Sequence, residues 1–259
     1  MINKEALKGK NILIMGVANR RSIAWAIAKA TYEAGANLAF SYQDERFKDK
    51  VGRLVEREMP GSLLLQCNVA VDQEIEKMAD LLEEKWGKLD GIVHSLAYAR
   101  KEELAGLYAE TSREGFLLAH NISSFSLTAV ANKLYPLMIE GGSIITLTFQ
   151  GSQRVVPNYN VMGVAKASLE ASVRYLASDL GAKGIRVNAI SAGPIRTVSA
   201  KGVKDFSSFL SEVEEKSPLG KLVSADEVAG VTLFLLGEQS TAVTGTIIYA
   251  DCGYHIMGY

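Results

Sequence analysis

Short, unbroken apolar runs alternate along the chain with longer stretches in which apolar residues recur every three or four positions. The runs are Asn11–Met15, Asn37–Tyr42, Leu63–Cys67, Gly91–Ser95, Ser143–Thr148, Arg186–Ser191 and Thr246–Ala250. Most end near Gly, Ser or Asn, which suits strands buried on both faces of a parallel sheet. Helical patterns lie between them, Ser22–Ala34 and Ala165–Leu180 among them. Ser224-x-x-Glu227 ahead of an apolar stretch reads as a capping box. The alternation predicts an α/β fold: one doubly wound, Rossmann-type parallel sheet of about seven strands with helices on both faces. No repeat, low-complexity tract or Pro/Ser-rich linker divides residues 1–259, so a single domain is expected. Residues 196–218 fit the alternation poorly. They sit between a strand and the last helix, where a lid over a site would lie.

Composition narrows the function classes. Of 259 residues 48% are hydrophobic, enough for a substantial core. Lys and Arg number 28 against 29 Asp and Glu and are scattered, which argues against a nucleic-acid surface. Two cysteines, Cys67 and Cys252, are too few for a disulfide framework. Met1 to Lys10 has no apolar core of a secretion signal, and no run of about 18 apolar residues predicts a membrane span. A cytoplasmic protein is expected.

The strand ends carry candidate chemistry. Gly16 lets the backbone leave the first strand sharply, and Ser22 can cap the following helix, whose free N–H groups would face a pyrophosphate. The three-glycine dinucleotide fingerprint is absent, so an ordinary strand–turn–helix stays open at this point. After the second strand, Gln43 can bond a ribose hydroxyl, while Asp44 and Glu45 would repel a 2′-phosphate. That favours NADH over NADPH; Arg46 and Lys48 argue the other way. Asn68 can bond an adenine edge and Val69 pack on its face. Leu96 and Ala97, with Ser95, end the fourth strand where the riboses would pass. His94 reads as a satisfied structural histidine. Gly193-Pro194 precedes Ile195-Arg196-Thr197, a turn that can present backbone amides to a carboxamide.

Tyr159 and Lys166 are seven residues apart, two turns along one face of a helix that carries both. A phenol can donate to a developing oxyanion, and an ammonium can hold sugar hydroxyls. Taken with Met15–Ala24, Arg113-Glu-Gly-Phe, Ala119-His-Asn-Ile-Ser-Ser, Asn158–Lys166 and Arg186–Thr197, the chain resembles the short-chain dehydrogenase/reductase superfamily. Within it, the chain is most similar to the type I NADH-dependent enoyl-acyl-carrier-protein reductases of bacterial fatty-acid synthesis. Carbonyl-reducing members place Tyr four residues before Lys, where this chain has Met162. The resemblance implies hydride transfer from NADH to the β-carbon of a trans-2-enoyl thioester. Tyr159 would stabilise the enolate oxygen and Lys166 hold the nicotinamide ribose. It implies cofactor contacts at Gly16, Ser22, Ile23, Gln43, Val69, Ser95, Lys166, Ala192 and Ile195, with Thr197 near the pyrophosphate or carboxamide. It further implies a homotetramer. Three departures stand out: Phe149 replaces a second, outer tyrosine, Asn68 an acidic residue, and Ala97 a residue that is often glycine.

Val203, Phe206, Phe209, Leu210 and Val213 recur at helical spacing between Gly202 and Pro218. Such a helix can simply pack on the core, or cover an acyl chain and exclude water. In the second case Ala99, Phe149, Met162 and Phe206 would line the pocket with Tyr159. Acidic acyl carrier protein would approach near Arg196, Lys201 and Lys204. Two alternatives remain: a carbonyl or hydroxyacyl dehydrogenase of the same superfamily, and a catalytically weak NADH-binding regulator.

Overall fold

A computed structural model describes residues 5–196 and 206–258, with Phe206 described in its backbone only. Among these residues seven strands form one all-parallel sheet. They are β1 (Asn11–Met15), β2 (Asn37–Tyr42), β3 (Leu63–Gln66), β4 (Gly91–His94), β5 (Gly142–Thr148), β6 (Ile185–Ala192) and β7 (Ile247–Ala250). Their order across the sheet is β3-β2-β1-β4-β5-β6-β7. The chain winds outward from β1 to β3, then returns to β4 on the other side of β1. That reversal opens a crevice at the carboxyl ends of β1 and β4, where open α/β sheets bind ligands.

The helices are α1 (Ile23–Glu33), α2 (Glu45–Glu58), α3 (Asp72–Trp86), α4 (Arg113–His120), α5 (Ser126–Leu134), α6 (Asn160–Leu180), α7 (Phe206–Lys216) and α8 (Ala225–Leu236). Alternate residues of each strand point to opposite faces, so both faces acquire an apolar layer. Ile12, Ile14, Leu38 and Phe40 pack with Ile27 and Ala28 of α1, Val51 and Val55 of α2 and Val228 of α8. Leu13, Met15, Ile92 and Ile144 pack on the other face with Ile75 and Met78 of α3, Val130 of α5 and Leu169 and Val173 of α6. Each fully buried aliphatic side chain contributes roughly 1.5–3 kcal/mol. A charge at Leu13, fully buried, would therefore break the sheet's second face.

Predicted and observed elements differ mainly at their ends. β3 and β4 each stop one residue early, although Cys67 N–H still donates to the Tyr42 carbonyl and Ser95 N–H to Met15. The hydrogen bonding outlasts the strand geometry there as the chain turns away. α6 begins at Asn160, five residues earlier than its apolar pattern, because Gly163 and Asn160 interrupt that pattern. The capping box at Ser224 and Glu227 is present in both directions.

Two asparagines flanking Tyr159 have positive φ, Asn158 at 60° and Asn160 at 26°. Asparagine tolerates this region better than most residues. Asn160 also donates from its amide to the Gly106 carbonyl at 3.1 Å, tying the start of α6 to the segment after β4.

Candidate active site

Most of the predicted cofactor residues share the carboxyl edge of the sheet. Gly16 follows β1, Gln43 follows β2, Asn68 and Val69 follow β3, Ser95, Leu96 and Ala97 follow β4, and Ala192 ends β6 with Ile195 just beyond. Gly16 has φ +94°, and a β-carbon there would stand 1.9 Å from the Ser95 carbonyl oxygen. Only glycine permits β1 and β4 to meet so closely at the crevice. Thr197 lies outside the described residues, as do Lys201, Gly202, Val203, Lys204 and the side chain of Phe206.

Ser22 occupies the N-cap position of α1, but its hydroxyl donates backward to the Asn19 carbonyl at 2.6 Å. It does not cap the helix, contrary to expectation. The first turn of α1, which follows β1 at the carboxyl edge of the sheet, consequently has no side-chain cap on its amides, and uncapped helix starts suit an anion such as pyrophosphate. Beyond β2, Asp44 caps α2 through the N–H groups of Arg46 and Phe47 and accepts from the Arg46 guanidinium at 2.8 Å. The Arg46 guanidinium holds the Asp44 carboxyl below its ordinary range. Lys48 pairs with Glu45 at 3.2 Å. Both cations that could have met a 2′-phosphate already face carboxylates. Asn68 uses its side-chain oxygen on the Ala70 N–H at 3.1 Å, and its backbone N–H donates to Glu74.

The second half of the site lies on α6. Tyr159 is the N-cap residue of that helix, with φ −113° and ψ −23°. Its carbonyl still accepts from the N–H groups of Met162 and Gly163, so the seven-residue spacing keeps Tyr159 and Lys166 on one face. The Phe149 ring meets the Tyr159 ring edge-on at 5.1 Å and 72°. Burial pushes the phenol up from its ordinary value, with the nearby Glu170 charge adding to the effect, so it stays protonated and able to donate. Lys166, 5% exposed, donates to the Leu147 carbonyl at 2.8 Å. Burial pulls its ammonium down to about 8, partly offset by Glu170. That bond uses one of its three N–H donors.

His94 is fully buried and bonded at both ring nitrogens: Nδ1 to Thr146 Oγ1 at 3.0 Å and Nε2 to Ser126 Oγ at 2.8 Å. It is structural, as expected. Burial, then the charge of Lys166, pushes it down to about 3, so the ring is neutral with one donor and one acceptor. The Ser126 hydroxyl also donates to the Ile122 carbonyl at 2.6 Å, and the Thr146 hydroxyl to the His94 carbonyl at 3.1 Å.

Substrate-side residues are placed less completely. Met162 is 7% exposed and packs inside, while Ala99 is half-buried. Leu210 and Val213 of α7 are buried, and Phe209 meets the Tyr254 ring edge-on at 6.4 Å. Sequence reasoning passed over Gly151, Ser123 and Glu170. A β-carbon on Gly151 would stand 2.5 Å from the Tyr159 ring. Ser123 lies in a π-helical turn, Asn121–Phe125, and its hydroxyl both accepts from the Tyr98 N–H and donates to the Tyr98 carbonyl. It thereby holds the segment after β4. A π-turn inside a helix often marks a functional site, but no pattern in the sequence announces one. No group of three or more His, Cys, Asp or Glu among the described residues could hold a metal.

Comparison with known proteins agrees with this geometry. The family profile described as "Enoyl-(Acyl carrier protein) reductase" matches residues 16–255. The chain is 53% identical over 252 residues to the enoyl-[acyl-carrier-protein] reductase [NADH] FabI of Bacillus subtilis, covering 97% of this chain and 98% of that protein. It is 50% identical to the [NADPH] FabI of Staphylococcus aureus strain MRSA252, covering 97% and 98%. The crystal structure of the Bacillus cereus enoyl-acyl carrier protein reductase with NADP+ and indole naphthyridinone superposes with a TM-score of 0.97 at 52% identity. It covers 98% of this chain and 100% of that one. The chain therefore belongs to the enoyl-acyl-carrier-protein reductase family within the short-chain dehydrogenase/reductase superfamily.

Proposed function

We propose that this chain reduces the C=C bond of trans-2-enoyl-acyl-carrier-protein thioesters in fatty-acid synthesis, with Tyr159 and Lys166 as its catalytic pair. The observation that carries the reading is the shared face of α6, where a protonated phenol and a buried ammonium stand two turns apart. NADH, when bound, supplies the hydride delivered to the β-carbon, and a proton taken from solvent at the α-carbon completes the reduction. Tyr159 donates its phenolic hydrogen bond to the thioester oxygen as that oxygen gains charge. Such a preorganised donor is worth roughly 10²–10³ in rate. Lys166 offers two N–H groups to the ribose and keeps the local potential favourable to the oxyanion. The amides at the start of α1 and the bare α-carbon of Gly16 suit a pyrophosphate.

NADH is favoured over NADPH because Asp44 and Glu45 engage Arg46 and Lys48. Ser22, Ile23, Gln43, Asn68, Val69, Ser95, Leu96, Ala97, Ala192, Ile195 and Thr197 complete the cofactor set. Ala99, Phe149 and Met162 line the acyl pocket. The partner is acyl carrier protein bearing the enoyl chain, and the assembly is a homotetramer. No helix among the described residues is long and apolar enough to cross a membrane.

The test is oxidation of NADH and NADPH at 340 nm with crotonyl thioester, in parallel with acetoacetyl thioester. Turnover with the enoyl substrate alone supports the reading; turnover with the keto substrate alone replaces it with the carbonyl dehydrogenase. Tyr159→Phe should lose roughly 10²–10³ in kcat and keep NADH binding. Full turnover in that variant removes Tyr159 from the chemistry.

A further inference from the structure

Three side chains and one bare α-carbon along α6 and its N-cap face one short segment. Tyr159, Gly163, Lys166 and Glu170 follow at spacings of four, three and four, which places them in a single line along the helix. The segment 147–153 leaves the end of β5 and runs along that line. Leu147 accepts from Lys166. Phe149 and Gly151 abut the Tyr159 ring. The Gly151 carbonyl lies so near Gly163 that a β-carbon there would stand 2.7 Å from it. At the far end Thr148 Oγ1 donates to Glu170 Oε1 at 2.7 Å, Ser152 Oγ to the same oxygen at 2.5 Å, and Gln153 Nε2 to Oε2 at 3.4 Å.

Glu170 is 5% exposed, and no ion pair within 4 Å compensates it among the described residues. Thr148, Ser152 and Gln153 all donate to it, so both carboxyl oxygens are hydrogen-bonded. A buried charge held only by neutral donors is costly unless those donors are well aligned. Its neighbour one turn back, Lys166, is the opposite buried charge.

We infer that Glu170 is a positioning residue for the reduction. Its carboxylate fastens the 147–153 strap that sets the Tyr159 ring, and its charge offsets that of Lys166 from within the same helix. This rests on the assignment of Tyr159 and Lys166 as the catalytic pair. Among the described residues, the titratable groups around Lys166 are Glu170 and Tyr159 on its own helix and His94 from β4. The strap itself carries no charged side chain, and Arg154 just beyond it is exposed and donates to the Met257 carbonyl.

The experiment compares Glu170→Gln, Glu170→Asp and Ser152→Ala with the parent chain. It reads NADH affinity by fluorescence, the thermal midpoint, kcat and KM with a short trans-2-enoyl thioester, and the pH dependence of kcat/KM. Glu170→Gln should keep NADH affinity within about threefold, lose about tenfold in kcat, and move the high-pH limb of kcat/KM down by about half a unit or more. Glu170→Asp should restore the limb but not kcat, because the shorter carboxylate misses the strap. Ser152→Ala should lower kcat several-fold with the limb unmoved. An unmoved limb in Glu170→Gln, or the same displacement in Glu170→Asp, reduces Glu170 to scaffolding and overturns the inference. Should Glu170→Gln fail to fold, parent-like kcat in both Ser152→Ala and Thr148→Val overturns it. Tyr159→Phe, assayed alongside, separates the two levels: full turnover there defeats the catalytic assignment, and the inference with it, whatever the Glu170 variants do.

Discussion

Gly16 and Ser95 approach so closely that a side chain on the first would overlap the carbonyl of the second. The two residues end neighbouring strands of opposite winding direction, so their contact shapes the floor of the crevice. Gly16→Ala combines that overlap with a φ of +94°, which alanine adopts only under strain. The expected cost is about 2–5 kcal/mol in urea unfolding, together with at least about tenfold weaker NADH binding. A variant with parent stability and affinity would show that the two strands can part without consequence.

The ammonium of Lys166 is held down to about 8 by burial. It is charged below that pH and loses its charge as pH rises through it. The value of kcat/KM for NADH, which reports the free enzyme, should therefore fall about tenfold per unit above about pH 8. A profile flat to pH 10 would mean that the charge plays no part.

Asp44 engages Arg46 while capping α2. Asp44→Asn keeps a capping oxygen but frees the guanidinium to meet a 2′-phosphate. The ratio of kcat/KM for NADPH to that for NADH should rise about tenfold, with the thermal midpoint little changed. An unchanged ratio would place cofactor choice elsewhere.

His94 stays neutral in the folded chain down to about pH 3, whereas in the unfolded chain it takes a proton near 6.5. The unfolded state therefore binds more protons between those values. Stability should fall as pH is lowered from about 6.5 toward 3, by on the order of a few kcal/mol from this residue. His94→Gln should flatten that dependence in urea titrations at pH 7 and pH 4. An identical slope in the variant would assign the acid sensitivity to other groups.

The sheet was legible because seven apolar runs each carried their own boundaries, as strands buried on both faces do. Gly16, Tyr159 and Lys166 were legible because spacing alone places them at a strand end or on one helix face. Tyr159's position at the helix boundary was not, since it depends on the backbone angles of Asn158 and Asn160. Glu170 was hidden for a different reason. An acid four residues after a lysine ordinarily reads as a solvated helix pair, and only the strap folding over it makes it interior. Ser22 misled because a cap residue type and a capping hydrogen bond are separate things, and Asn19 takes the hydroxyl first.

Met162 occupies the place from which carbonyl-reducing relatives present their phenol, and here that place is filled by packing. A tyrosine introduced there would have to evict its neighbours before it could reach any oxygen. A single Met162→Tyr exchange therefore overfills this part of the interior before it offers a second phenol.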